Sequence, residues 1–241
     1  MQEPKERLCL ALDVDSEAEA LRVVSLLSDY VGLFKVGLEL FCSSGPGIVK
    51  SVADSGGRVF LDLKFHDIPN TVAQASRAAV RLGVAAFNVH ASGGPEMLRA
   101  AKMAAEEEAA SAGSDRPQVL AVTLLTSIDA SMLRDYIGVS RPLLDHVTQL
   151  GIAARDAGLD GVIASPQETA ALRTACGPDF TILTPGIRMP DSPPDDQKRT
   201  LSPYEAIRRG ATAIVVGRPI RAAEDPVAAA QMILADISRA L

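Results

Sequence analysis

Residues 59–72 read Val59-Phe60-Leu61-Asp62-Leu63-Lys64-Phe65-His66-Asp67-Ile68-Pro69-Asn70-Thr71-Val72. The stretch Val59–Leu63 is apolar except for Asp62, the pattern of a strand buried on both faces. Asp62 and Lys64 stand two residues apart, so strand alternation places them on one face. Ile68-Pro69 then marks a helix start, because proline is tolerated in a first helical turn. A buried strand, charges at its C-terminal end and an immediate helix make one unit of a parallel β/α fold.

The same texture recurs along the chain. Further strands are expected at Leu8–Asp13, Leu33–Val36, Ala85–Val89, Val119–Thr123, Gly161–Ala164, Thr181–Thr184 and Ala213–Val216. Between them lie longer Ala-rich segments of helical period, such as the stripe Leu143, Val147, Leu150 and Ala154. Ser16…Glu19, Ser165…Glu168 and Ser202…Glu205 have capping-box spacing, with Pro166 and Pro203 as first helical residues, and Gly94-Pro95 marks another start. Eight strand–helix units in 241 residues average about 30 residues each. That arithmetic predicts one (β/α)8 TIM barrel domain spanning 1–241, with its active site at the C-terminal ends of the strands. A doubly wound open sheet is the competitor, but no GxGxxG follows the first strand.

Composition narrows the function. Hydrophobic residues make up 47%, too many for a disordered chain, and the net charge of −6 offers no basic surface for nucleic acid. No apolar run approaches the roughly 18 residues that cross a bilayer. The N-terminal apolar run stops at Asp13, too early for a signal peptide, so a cytoplasmic protein is expected. Cys9, Cys42 and Cys176 are widely spaced and read as buried, reduced thiols.

Polar residues cluster where strands end. Asp13 closes the first strand, Lys35 lies in the second, and Asp62 and Lys64 close the third, with Asp67 just beyond. Asn88 and His90 end the fourth, Thr126-Ser127 follow the fifth, Arg188 follows the seventh and Arg218 the eighth. A lysine held among carboxylates stays protonated, which suits a proton donor or a carbanion-stabilising cation and opposes a Schiff-base role. LTPGIR (183–188) and IVVGRPI (214–220) carry Arg188, Gly217 and Arg218, where barrels of this kind often hold phosphate. The polar loop Met189–Thr200 between them is expected to act as a lid, with Gln197 reaching the same phosphate. His66, Met97, Met103 and Glu106–Glu108 read as packing or surface residues.

These motifs together resemble orotidine 5′-phosphate decarboxylases. The match runs through ALD, FKVG, DLKFHDIPNTV, NVHASGG, LTS, PGIR and VVGRPI in order along the whole chain. Phe65 is the departure, where leucine is the more usual residue. The resemblance implies cofactor-free and metal-free decarboxylation of orotidine 5′-monophosphate (OMP) to UMP, in de novo pyrimidine synthesis. It further implies that Lys64 donates a proton to C6, that Asp62 faces the departing carboxylate, and that Lys35 joins the network near the ribose. Asp13 would bind ribose hydroxyls, and Thr126 and Ser127 the nucleotide and base. Pro185, Arg188, Gln197, Gly217 and Arg218 would hold base and phosphate. Asp67 and Thr71 would complete the site of a neighbouring subunit in a homodimer.

Three other readings stay open on the residues alone. Sugar-phosphate decarboxylases and hexulose-phosphate synthases share the Asp-x-Lys-x-x-Asp core but need a divalent metal, for which Glu39 is a weak candidate ligand. A Schiff-base aldolase would use Lys64 as a neutral amine. A non-catalytic phosphate-binding barrel would bind UMP and leave OMP untouched.

Overall fold

The computed structural model describes residues 3–188 and 201–241. Eight strands close into a barrel in chain order: β1 (Leu8–Ala11), β2 (Leu33–Gly37), β3 (Val59–Phe65), β4 (Ala86–His90), β5 (Gln118–Val122), β6 (Gly161–Ile163), β7 (Thr181–Thr184) and β8 (Ala213–Val216). All neighbouring pairs are parallel, and β8 pairs with β1 to complete the ring. The closed (β/α)8 architecture is the expected one, and the open sheet is excluded. Closure leaves no strand edge exposed.

Strand alternation sorts the side chains into two cores. Cys9, Ala11, Phe60, Ala86, Leu120, Leu183, Ala213 and Val215 fill the barrel interior. Four of these are small, which leaves room for the ring of Phe60, buried to 1% exposure. The opposite faces, including Leu8, Leu10, Phe34, Val36, Leu61, Phe87 and Val89, pack outward under the helices. The helix Leu143–Asp156 presents the expected stripe: Val147 and Ala154 are buried, and Leu143 and Leu150 pack at the margin.

Local details depart from the expectations. Ser202 and Glu205 form a full capping box with Pro203 in the first turn. Ser16 occupies its N-cap position without a side-chain cap, and Glu19, which would supply the other half of the box, pairs with Arg22 through two 2.8 Å hydrogen bonds. Ser165, Pro166 and Glu168 do not open a helix. The Glu168 N–H donates to the Ser165 carbonyl three residues back, closing a turn, and the helix begins at Thr169. Cys42 is exposed, unlike Cys9 and Cys176, and Met103 is 56% exposed although Met97 is buried. Glu106, Glu107 and Glu108 are not merely solvated: they pair with Lys102, Arg77 and Arg81, the last two on the neighbouring helix Pro69–Arg81.

Opposite the functional end, Asp160 sits just before β6 and ties three groups together. It accepts from Lys102 at 2.8 Å, from Arg116 at 2.7 and 2.9 Å and from the Val119 N–H at 2.8 Å. Burial alone would raise its carboxyl pKa, but these donors outweigh burial and hold it below the ordinary carboxylate value. A depressed carboxyl contributes stability above its unfolded pKa and loses it as pH falls through the folded value. We expect Asp160→Asn to cost about 2 kcal/mol at pH 7. That corresponds to a fall in Tm of about 4–8 °C by calorimetry, with the gap narrowing as pH drops below about 4.

Candidate active site

The C-terminal half of β3 is irregular, and the irregularity makes the site. β3 and β4 pair at Phe60–Ala86 and Leu61–Phe87, then resume only at Phe65–Val89. Two extra residues are thus taken up in β3 as a bulge. Lys64 lies within it at φ 53°, the one non-glycine positive φ among the described residues. Such a backbone costs roughly 1–3 kcal/mol and persists only where its surroundings enforce it. The fully buried Asn88 on β4 spans the gap. Its Oδ1 accepts from the Lys64 N–H at 2.8 Å, and its Nδ2 donates to Asp62 Oδ1 at 2.6 Å.

A row of alternating charge crosses the mouth. Lys64 Nζ donates to Asp62 Oδ1 at 2.7 Å. Lys35 Nζ lies 3.4 Å from Asp62 Oδ2 and 2.9 Å from Asp13 Oδ1. Burial by itself would lower the Lys35 pKa. The charges of Asp62 and Asp13, with the hydrogen bond to Asp13, outweigh burial and hold it above the ordinary lysine value. Lys64 is the more open cation, 30% exposed against 13% for Lys35. Lys64 is therefore the ammonium more open to the cavity, and Lys35 is the one held more tightly inside the network.

Below and beside this row opens a cavity of about 760 Å³, large enough for a nucleotide-sized ligand. Asp13, Lys35, Asp62, Lys64, Thr126, Ser127, Pro185, Arg188, Gly217 and Arg218 all line it. Acids and ammonium groups come from β2, β3 and the residues just after β1, and the two guanidinium groups from the segments after β7 and β8. Asp67 and Thr71 are exposed and do not reach this cavity; Asp67 Oδ1 accepts instead from the adjacent Ile68 N–H at 2.6 Å. Gln197 and the expected lid Met189–Thr200 lie outside the described residues.

Other titratable groups play different parts. The His66 ring lies 5.2 Å from that of His90. Burial first, and then the neighbouring His66 and Lys64, hold the His90 pKa below the ordinary imidazole value. Burial pushes the Cys9 thiol up to about 12, so it serves as packing and not as a nucleophile. Among the described residues no three His, Cys, Asp or Glu side chains converge as a metal site, and Glu39 is exposed and outside the cavity.

Sequence reading missed two contributions. Asn88 was visible only as a polar residue ending a strand, although a buried carboxamide in an otherwise apolar strand signals a required pair of hydrogen bonds. The apolar wall, Phe60, Val122, Leu124, Leu125 and Ile163 among it, was hidden because core and ligand wall draw on the same residue types.

The profile of the "Orotidine 5'-phosphate decarboxylase / HUMPS family" matches residues 6–233. The chain is 54% identical over 233 residues to an orotidine 5′-phosphate decarboxylase of Moorella thermoacetica, covering 97% of this chain and 92% of that one. It is 52% identical over 235 residues to one of Pelobacter propionicus, covering 98% and 96%. The crystal structure of orotidine 5′-phosphate decarboxylase from Lactobacillus acidophilus superposes with a TM-score of 0.84 at 39% identity, covering 95% of this chain and 98% of that one.

Removing the inner cation tests the charge row. Lys35→Met leaves Asp13 and Asp62 without their shared counter-charge, and should cost about 1–2 kcal/mol at pH 7 in urea unfolding, discounted for the half-exposed Asp13. A raised lysine contributes stability below its unfolded value and loses it as pH rises through the folded one. The difference between variant and wild type should therefore begin to narrow only above pH 10.5, the ordinary lysine value, and close beyond the raised folded one.

Proposed function

The chain belongs to the orotidine 5′-phosphate decarboxylase / HUMPS family, and we infer that Lys64 is the acid in its reaction, the decarboxylation of OMP to UMP and CO2. The observation that carries this reading is the 2.7 Å contact between Lys64 Nζ and Asp62 at the edge of a nucleotide-sized cavity.

Loss of CO2 from C6 leaves an electron pair in the plane of the pyrimidine ring, where the π system cannot accept it. A cation already in place stabilises that charge with little reorganisation. The Lys64 ammonium, held by Asp62, is such a cation, and it then delivers its proton to C6. Asp62 faces the leaving carboxylate, and Lys35 and Asp13 bind near the ribose. Thr126, Ser127 and Pro185 flank nucleotide and base. Arg188 and Arg218 grip the phosphate through planar forks, with Gly217 allowing close backbone approach. The phosphate is remote from C6, so its binding energy serves to position the ring.

The functional unit in this reading is a homodimer. Asp67 and Thr71 are exposed, and Ile68 between them is 67% exposed. A large aliphatic side chain flanked by polar groups at the rim of a site fits a subunit contact that delivers Asp67 and Thr71 to the neighbouring cavity.

Purified protein should bleach the orotate chromophore of OMP and form UMP, with a rate unchanged by EDTA. An EDTA-sensitive rate, or no turnover, would move the chain to the metal-dependent branch of the family. Lys64→Ala should lower turnover by about 10⁴-fold while UMP still binds by calorimetry; substantial residual turnover would reassign the acid. Subunit mixing tests the shared site. Lys64→Ala and Asp67→Ala homodimers should each be nearly inactive, and a co-refolded equal mixture should recover about a quarter of wild-type activity, from one intact site per mixed dimer.

A further inference from the structure

We propose that Asn88 is a positioning residue for the reacting ammonium, acting by holding the Lys64 backbone in its left-handed conformation and fixing Asp62 against it. The proposal deepens the function inferred above and rests on it for its kinetic readout.

The bulge in β3 removes the ladder partners that would otherwise hold Lys64. With β3 and β4 out of register between Leu61 and Phe65, the Lys64 N–H has no backbone acceptor across the gap. Its hydrogen bond goes to Asn88 Oδ1 at 2.8 Å instead. The other end of the same carboxamide donates to Asp62 Oδ1 at 2.6 Å, the oxygen that also receives Lys64 Nζ at 2.7 Å. Asn88 thus closes a ring that runs from the Lys64 backbone through the amide to Asp62 and back to the Lys64 ammonium.

The chemistry of the position is narrow. One side of residue 88 faces an N–H and must accept; the other faces a carboxylate and must donate. This polarity also fixes the orientation of the amide, since the reverse would put NH2 against N–H and C=O against carboxylate. Aspartate has the right shape, but it lacks the donor and sets a second negative charge against Asp62. Alanine frees both partners. The side chain is fully buried and does not line the cavity, so its effect on the reaction passes through Lys64 and Asp62. A displacement of the reacting group by about 1 Å costs on the order of a hundredfold in rate.

The experiment compares Asn88→Ala and Asn88→Asp with wild type in kcat for OMP, in UMP affinity by calorimetry, and in crystal structure. The expected result is a fall in kcat of about a hundredfold for Asn88→Ala, with the UMP dissociation constant changed less than about threefold. Asn88→Asp, of nearly unchanged volume, should be at least as slow, because shape is not what the position supplies. In the Asn88→Ala crystal, Lys64 should leave positive φ or lose its contact with Asp62. An aspartate variant milder than the alanine variant would show that Asn88 only fills space and would overturn the proposal. So would a loss of UMP affinity in proportion to kcat, or a Lys64 that keeps both its φ and its contact. Should Asn88→Ala fail to fold, the volume-preserving Asn88→Asp carries the same comparison. If wild type itself leaves OMP untouched, the function inferred above fails, and the position of Lys64 in the variant crystals alone decides this proposal.

Discussion

One carboxylate organises the mouth of the barrel. Asp62 receives Lys64 and the Asn88 amide on one oxygen and lies against Lys35 on the other. A carboxylate only 12% exposed would be costly without compensation. Here two ammonium groups and an amide replace the lost water. The same contacts hold both lysines in place before any substrate arrives. A site built this way has its dipoles and charges oriented in advance, which is the economical way to stabilise charge that appears during reaction.

The barrel supplies the rigidity that this arrangement needs. Inward-facing side chains change character along the strands, from Cys9, Ala86, Leu120 and Ala213 in the packed interior to Asp62, Asn88 and Lys35 toward the C-terminal ends. Neighbouring strands bring charges from β2, β3 and the residues just after β1 together, although these lie about 50 residues apart from end to end. The same cavity is lined by Arg188 and Arg218 from the segments after β7 and β8, in a chain of net charge −6. Cationic side chains in such a chain act through their placement in the cavity and not through the overall field.

Strand number, strand order and the eightfold repeat were legible because buried parallel strands need continuous apolar runs, and such runs are conspicuous between Ala-rich helices. Most of the cavity-lining polar residues were legible for the converse reason. A charge at the end of a buried strand is anomalous wherever it occurs, and Asp13, Lys35, Asp62, Lys64 and Arg218 each stood out against apolar neighbours. Capping was less transparent. Ser16, Ser165 and Ser202 share one spacing, but only Ser202 completes the box: the Glu19 carboxylate pairs with Arg22, and the segment after Ser165 forms a turn before its helix starts at Thr169. The exposure of Cys42 and Met103 was equally opaque, since solvent access depends on what covers a residue.

From the chain of amino acids alone follow the closed α/β architecture, the end of the barrel that carries chemistry, and the pairing of Asp62 with Lys64. These depend on local periodicity and on the cost of burying charge, both properties of short stretches. The left-handed backbone of Lys64, the two-residue slip between β3 and β4, and the place of Asn88 within the charge network were decided by the tertiary structure. A bulge is a relation between two strands, and a buried amide declares its partners only when both strands are in place. The Asp62–Lys64 pair could therefore be read from one strand, but its geometry required the neighbour.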